Sequence, residues 1–353
     1  MSVCMTYEQG RIPMPTNVYD QWLLKNTKPF DQQTAEQSDY LRVCFQVGNV
    51  CTNDCVYCPP GCKDGTYPWP SYEQAAKIIN KIDQIYKSAP YNKKKIQFEL
   101  LGGEVTLWKD IERVIELIYS LGNTVCLVTN GVRTVRWWQE YGKYFEYITL
   151  SVHAEFAEKE HCTDVLNVLV ENNVKSHALM LMLPSHWQKC LDTIDYMVEN
   201  GKFELIRARP LTLIGEQGNH DRWPYSDLEW KWLEDNSTFF PKAGKVINTP
   251  EGPNWESTLW RNSVTKEIKI QNSEEVISLK QNNWKGWNCF VGVDTLYLEQ
   301  NGDIRRDAMC YVRPPIGNWK RDNLDELTWP FEPVRCPFNS CFCTHDMKAR
   351  KIK

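Results

Sequence analysis

Three cysteines within eight residues are the strongest chemical signal in this 353-residue sequence. Cys51, Cys55 and Cys58 are separated by gaps of three and two residues, and no histidine lies in the loop. Thiolates at this spacing can surround one soft metal centre, either zinc or a four-iron cluster. A closed structural zinc site needs four ligands, and a fourth is not obvious beyond the neighbouring Cys62. Three cysteines on a four-iron cluster would leave one iron open, which is a catalytic arrangement.

A second group of cysteines lies near the end of the chain, within the last 65 residues. Since the sequence begins without a secretory signal, we expect a reducing, cytoplasmic location, where grouped cysteines indicate metal binding or catalysis rather than disulfides. The cysteines outside the two groups are interpreted mainly as small buried side chains. The second group comprises Cys289, Cys310, Cys336, Cys341 and Cys343.

The overall composition excludes several classes of protein. Apolar residues make up 42% and charged residues 24%, as in soluble globular proteins. The sequence has no apolar run of membrane-spanning length, so we expect no membrane partner. A net charge of −4 counts against nucleic acid as a partner, since phosphate contacts need basic residues. The 15 tryptophans predict a large buried core or an aromatic-lined site.

The elements that must position the first cysteine group alternate between strands and helices. Such alternation predicts βα units around a parallel sheet, and six strands rather than eight predict a partial (β/α)6 barrel of the α/β class. Ligands bind such folds at the carboxyl ends of the strands, where the cysteine loop follows the first strand. The predicted strands cover 41–47, 95–101, 124–129, 147–152, 175–183 and 203–213. The predicted helices cover 71–88, 108–121, 135–144, 156–172 and 186–200.

After residue 214 the alternation stops. Short strands are predicted within 264–279, and Asn301-Gly302 predicts the turn of a β-hairpin between 295–299 and 303–307. The basic residues 348–353 are interpreted as a solvated tail rather than a nucleic-acid patch. We therefore expect four segments, namely an N-terminal extension (1–40), a partial barrel (41–213), a tryptophan-rich connecting region (214–288) and a cysteine-rich extension containing the hairpin (289–353).

The motifs along the predicted barrel resemble those of radical S-adenosylmethionine (radical SAM) enzymes. The family signature is similar to Cys51-x3-Cys55-x2-Cys58, with aromatic Tyr57 just before the third cysteine. Gly102-Gly103-Glu104, 44 residues after Cys58, resembles the GGE motif of the family. The later motifs also follow the order of the family. Thr129-Asn130-Gly131 ends the third predicted strand, and Ser151 and His153 end the fourth.

This resemblance implies a set of cofactor contacts. The open iron of a [4Fe–4S] cluster would bind the amino and carboxylate groups of SAM, and Glu104 would pair with the ammonium unless it only caps the next helix. Ser151 would contact the ribose or carboxylate, or cap its strand. Arg207 and Arg209 share one strand face, and one of them would hold the SAM carboxylate or an acidic substrate. The implied SAM-binding residues are Tyr57, Gly102, Gly103, Glu104, Asn130, Ser151, His153 and Arg207.

The C-terminal cysteines resemble the SPASM and twitch extensions of the same family. There a β-hairpin between early cysteines supports an auxiliary four-iron cluster. A full SPASM domain has more cysteines than the five present here, so the resemblance implies one auxiliary [4Fe–4S] cluster held by four of the five. Zinc bound by four cysteines is one alternative, and substitution of His345 or Asp346 for a cysteine ligand is another.

The resemblance also implies the reaction. SAM would be cleaved reductively to a 5′-deoxyadenosyl radical that abstracts hydrogen from a substrate, with a flavodoxin- or ferredoxin-type reductant as partner. We expect a peptide or protein substrate that is oxidised, crosslinked or epimerised. The alternatives are oxidation or epimerisation of a small molecule, such as a sugar, aminocyclitol or nucleoside, modification of tRNA or DNA, and a non-enzymatic electron carrier. Epimerisation would need a hydrogen-donating thiol, for which the candidates are Cys62, Cys162 and Cys190.

Overall fold

Six consecutive parallel strands form the centre of the structure. The structure, a computed structural model, describes residues 30–35, 39–203, 206–214, 220–236, 257–272, 276, 281–308, 310, 313–341 and 344–353. Cys343 and most of the predicted N-terminal extension lie outside these residues. Each parallel strand pairs with the next one in sequence, as the alternating pattern predicts. The parallel strands are β2 (Tyr40–Gln46), β3 (Lys95–Leu101), β4 (Thr124–Thr129), β5 (Phe145–His153), β6 (Lys175–Met182) and β7 (Ile206–Pro210).

Helices connect these strands and cover one face of the sheet. The first helix begins after Ser71, whose side chain and Gln74 form a capping box, and it buries Ile78, Ile79 and Ile82. A later helix was not predicted, because its sequence has no apolar stripe and only Leu233 is buried. The helices are α1 (Tyr72–Lys87), α2 (Ile111–Ser120), α3 (Val135–Tyr141), α4 (Lys159–Glu171), α5 (Trp187–Asn200), α6 (Asp227–Asn236) and α7 (Thr344–Met347).

The two faces of the parallel sheet differ in chemistry. On β2, Leu41, Val43 and Phe45 belong to the main hydrophobic core, which also contains the buried residues of α1. Alternation along the strand therefore turns Arg42 and Cys44 to the opposite face, which we call the inner face. Residues in register on neighbouring strands point the same way. Gln97 and Glu99 on β3 are therefore on the inner face beside Arg42 and Cys44, and this face is polar.

The C-terminal region extends the same sheet. Strand β13 (Thr295–Leu298) pairs in parallel with β2 and antiparallel with β14 (Asp303–Arg305), which confirms the predicted hairpin. Strand β15 (Gly317–Asn318) follows β14 at this edge. A second sheet has the order β11-β10-β1-β17-β12-β16, and β8 pairs with β9. These strands are β1 (Gln32–Ala35), β8 (Thr212–Ile214), β9 (His220–Arg222), β10 (Ser257–Arg261), β11 (Ile268–Asn272), β12 (Asn288–Cys289), β16 (Val334–Arg335) and β17 (Lys351–Ile352).

The prediction of a solvated basic tail is wrong. Lys351 is 1% exposed and lies in β17, which pairs with β1 and β12. Its Nζ donates to the carbonyls of Asp346 (2.8 Å), Met347 (3.1 Å) and Ala349 (2.9 Å). An ammonium group with three acceptors can be buried because its hydrogen-bonding capacity is fully used.

Among the described helices, none has the length and apolar character needed to cross a membrane.

Candidate active site

The three closely spaced cysteines lie in the loop that follows β2, at the carboxyl edge of the parallel sheet. Cys55 is 4% exposed, whereas Cys51 and Cys58 are partly exposed. Burial raises the pKa of Cys51, and raises that of Cys55 to about 11. The charge of Cys51 acts on the Cys55 thiol and that of Cys55 acts on the Cys58 thiol, so successive thiols of the motif lie close enough to interact. Metal binding here would release thiol protons.

A single buried side chain closes this loop. Asn49, which is fully buried, donates from Nδ2 to the carbonyl of Gly61 (3.0 Å) and to Asp64 (2.7 Å). Its Oδ1 accepts the backbone N–H of Tyr67 at 2.8 Å. Lys63 adds a hydrogen bond to the Cys55 carbonyl at 2.7 Å. The path of the chain around the cysteines thus depends on the three hydrogen bonds of Asn49.

We expect Asn49→Ala to release the cysteine loop. The change removes the three hydrogen bonds of the Asn49 side chain, and bonds of this kind typically contribute about 0.5–1.5 kcal/mol each. Iron retained after anaerobic reconstitution and desalting should fall several-fold. The control is Asn80→Ala, since Asn80 is exposed on α1 and its side chain bonds, within the described part of the chain, only to the Ala76 carbonyl. Equal iron retention by the two variants would show that Asn49 does not shape the loop.

Glu104 lies beside the cysteine loop and is 1% exposed. Its Oε1 accepts from the Thr106 N–H (3.1 Å), the Thr106 hydroxyl (2.6 Å) and the Thr129 hydroxyl (2.7 Å). Its Oε2 accepts the Asn130 N–H at 2.6 Å. Burial raises the pKa of Glu104, and these hydrogen bonds act against that rise. The carboxylate therefore caps the turn after β3 and joins it to the end of β4, while Oε2 keeps capacity for a further donor.

The two glycines before Glu104 allow the β3 turn to contact the chain leading into Cys51. Both have positive φ angles, 105° at Gly102 and 51° at Gly103. A Cβ atom at Gly102 would lie 2.1 Å from the Gly48 carbonyl oxygen, and one at Gly103 would lie 2.1 Å from that of Val50. Glycine is therefore required here for backbone–backbone contact, in addition to any contact with a cofactor.

Asn130 and His153 line a cavity of about 180 Å³ at the ends of β4 and β5. The Asn130 Oδ1 accepts the Val132 N–H, whereas its buried Nδ2 has no hydrogen-bond partner among the described residues. His153 Nδ1 lies 2.5 Å from the Tyr57 hydroxyl, and burial lowers the pKa of His153 to about 4. The cavity therefore presents a neutral imidazole and an unused amide donor close to the cysteine loop.

Ser151 and Arg207 occupy one level of the inner face. Leu179 on β6 is in register with both of them. Ile206 and Ala208 face the main core, so Arg207 and Arg209 share the inner face, as their spacing predicts. Arg207 is 4% exposed, whereas Arg209 is exposed.

The candidate hydrogen-donor thiols occupy different environments. Cys62 is exposed beside Cys58, and a hydrogen bond with that thiol lowers the pKa of Cys62 to about 7. Cys162 is buried but lines the cavity. Cys190 is fully buried on α5, where its thiol donates to the Leu181 carbonyl. Cys44 and Cys126 are buried, as predicted, and the alternation along β2 and β4 places both of them on the inner face.

Four C-terminal thiols lie together. Cys289, Cys336 and Cys341 share a buried apolar cluster. The charges of Cys341 and Cys336 act on Cys289, and Cys341 is a hydrogen-bond partner of Cys310. Burial raises the pKa of Cys289 to about 12. The structure thus brings together four of the five predicted ligands, and the fifth, Cys343, lies outside the described residues.

The residues of both cysteine groups suit iron–sulfur clusters. A single metal ion needs ligand atoms that lie close together. Among the described residues, only one trio of potential ligands has its atoms within 4.8 Å of one another, and that trio belongs to neither cysteine group. Cysteine thiolates are the usual ligands of iron–sulfur clusters, so the donors of both cysteine groups fit such a cluster. The unused Nδ2 of Asn130 and the remaining capacity of Glu104 Oε2 offer polar contacts for a cofactor such as SAM.

The class of protein follows from the comparisons. Residues 45–217 match the family model of the radical SAM superfamily, so this segment is a radical SAM domain. No curated protein matches the sequence significantly.

Several solved structures are similar to this chain. SuiB of Streptococcus suis bound to S-adenosylmethionine has 15% identity and a TM-score of 0.48, over 82% of this chain and 65% of SuiB. The chain thus covers less than two thirds of the length of SuiB. Native anSMEcpe with bound AdoMet has 14% identity and a TM-score of 0.49, over 81% and 80% of the two chains. BtrN in an open conformation has 10% identity and a TM-score of 0.36, over 81% and 78%.

Proposed function

We propose that this radical SAM enzyme binds SAM between the cysteine loop, Glu104 and Asn130, and starts hydrogen abstraction from a substrate on the inner face. The observation that carries the proposal is the convergence of three cysteine thiols next to an unused amide donor and a buried carboxylate. When bound, a [4Fe–4S] cluster at Cys51, Cys55 and Cys58 supplies the electron that cleaves SAM.

The protein side chains would bind and orient SAM. Glu104 Oε2 can accept from the ammonium group of SAM, while its other hydrogen bonds hold it in place. Asn130 Nδ2 can donate to a carboxylate or ribose oxygen. Ser151 and Arg207, at one level of the inner face, can bind the remaining polar groups of SAM or an anionic substrate. The Tyr57 hydroxyl is fixed by His153, which positions the aromatic residue of the motif.

The C-terminal thiols supply the second part of the proposal. Cys289, Cys310, Cys336 and Cys341 would hold one auxiliary [4Fe–4S] cluster of the twitch type. Their spacing supports a cluster over the alternative, a single zinc ion, since no three of them meet the 4.8 Å separation found elsewhere in the described part of the chain. An auxiliary cluster could accept an electron from the substrate and so make the reaction an oxidation.

For the substrate, we propose a peptide or protein whose side chain or α-carbon is oxidised, crosslinked or epimerised. In the family that the motifs resemble, auxiliary clusters accompany this chemistry most often. Oxidation or epimerisation of a small molecule is the second candidate, and the buried polar side chains of the inner face, such as Arg207, favour it. A flavodoxin- or ferredoxin-type protein would be the reductant.

Metal analysis combined with a SAM-cleavage assay tests this function. With dithionite and SAM under anaerobic conditions, the intact protein should form 5′-deoxyadenosine. In the double variant Cys289→Ala/Cys341→Ala, bound iron should fall from about eight to about four atoms per chain, the content of one lost [4Fe–4S] cluster. The variant should still form 5′-deoxyadenosine. Unchanged iron would contradict the auxiliary cluster, and no product from the intact protein, with and without candidate substrates, would contradict the enzymatic proposal.

A further inference from the structure

A compact trio of potential metal ligands lies on the inner face, separate from both cysteine groups. A ring nitrogen of His345, the sulfur of Cys44 and a carboxylate oxygen of Glu99 all lie within 4.8 Å of one another. Cys44 is 3% exposed and His345 is 7% exposed. Such ligand spacing suits a single ion, for which zinc–ligand distances are about 2.0–2.3 Å.

The fold holds these ligands in fixed positions. Cys44 on β2 and Glu99 on β3 are register partners, so their side chains project side by side. His345 comes from the short helix α7. Its Nε2 lies 3.1 Å from the Leu296 carbonyl on β13, and donation to that carbonyl leaves Nδ1 with a lone pair for a metal. A ligating histidine commonly donates its second N–H in this way, which fixes the tautomer.

We propose that Cys44, Glu99 and His345 form a mononuclear zinc site that attaches the C-terminal segment to the inner face of the sheet. A thiolate, a carboxylate and an imidazole are donors that zinc accepts, and a water molecule would take the fourth position, as in zinc sites with three protein ligands. The site is independent of the proposed SAM chemistry. It also fixes the position of the next residue, Asp346, whose carboxylate lies 3.6 Å from the Cys310 sulfur.

The test is zinc analysis of the full chain after anaerobic iron reconstitution. After addition of Zn²⁺ and dialysis against a weak chelator, we expect about one zinc ion per chain to remain, since three protein side chains hold the ion. Zinc K-edge absorption, which iron does not disturb, should report one sulfur neighbour and otherwise nitrogen or oxygen. Cys44→Ser and Glu99→Gln should each lower zinc retention at least tenfold, with far-UV circular dichroism unchanged.

Cys190→Ser is the matched control, because Cys190 is another buried thiol but lies on α5 in the main core. It should retain zinc as the unchanged protein does. Zinc should also raise the melting temperature of the unchanged protein and not that of Cys44→Ser, because a ligand that binds only the folded state stabilises it. The proposal is overturned if no zinc remains, if zinc has four sulfur neighbours, or if Cys44→Ser and Glu99→Gln retain zinc as the control does.

Discussion

Replacement of Cys51, Cys55 and Cys58 together by alanine is expected to abolish formation of 5′-deoxyadenosine. Without these thiolates, the loop after β2 retains a single thiol, Cys62, which cannot hold a cluster alone. Bound iron should fall from about eight to about four atoms per chain, because the proposed auxiliary cluster uses other cysteines. Iron and sulfide analysis of the reconstituted protein, together with chromatographic measurement of 5′-deoxyadenosine, checks both effects.

A suitable control for the triple variant is Cys190→Ala, which removes a fully buried thiol far from the loop in sequence. It should keep both the iron content and the product, with only a moderate loss of stability from the small cavity. If the triple variant still cleaved SAM, the assignment of the catalytic cysteines would be wrong. If both variants lost iron equally, the loss would reflect general unfolding, and a Cys51→Ser single variant would separate the two causes.

Gly102→Ala is expected to have the second largest effect. At this position φ is 105°, and an added Cβ would lie 2.1 Å from the Gly48 carbonyl oxygen. The backbone angle alone costs about 1–3 kcal/mol for a residue with a side chain. The clash adds to this cost, because the contacted atom is backbone and cannot rotate away. We expect a lower melting temperature and loss of SAM cleavage, measured by calorimetry and by the 5′-deoxyadenosine assay.

Gly122→Ala separates the clash from the backbone angle. Gly122 also has a positive φ, 73°, but an added Cβ there would have no neighbour within 4 Å among the residues that the structure describes. This variant should lose only about 1–2 kcal/mol and retain SAM cleavage. If Gly102→Ala and Gly122→Ala lost SAM cleavage equally, the loss would not depend on the close contact between the β3 turn and Gly48.

Local sequence patterns were sufficient to predict the central fold. Strands β3 and β4 have the predicted bounds. Each is a short, mostly apolar run that lies between helices whose apolar residues recur at helical spacing. The capping residues Ser71 and Ser88 mark both ends of α1. The same local information predicted the hairpin at Asn301-Gly302, since a turn of this type requires a residue with positive φ, here 100° at Gly302.

The sequence could not predict how distant segments meet. Lys348 and Lys351 look like solvated residues when only their neighbours in sequence are considered, yet both are buried, and carbonyl groups around α7 satisfy Lys351. Cys44 was interpreted as a small core residue, because nothing near it in sequence indicates that His345, about 300 residues later, lies beside it. The pairing of β13 with β2 likewise depends on contacts between the two ends of the chain.

By itself, the sequence determined the class of chemistry, since the spacing of Cys51, Cys55 and Cys58 and the order of the strand-end motifs are local properties of the chain. The tertiary structure decided which groups surround that chemistry. It turned Glu104 toward Asn130, gathered Cys289, Cys310, Cys336 and Cys341, and brought His345 to the inner face. These contacts join residues far apart in sequence, so they follow from the packing of the whole chain rather than from any local pattern.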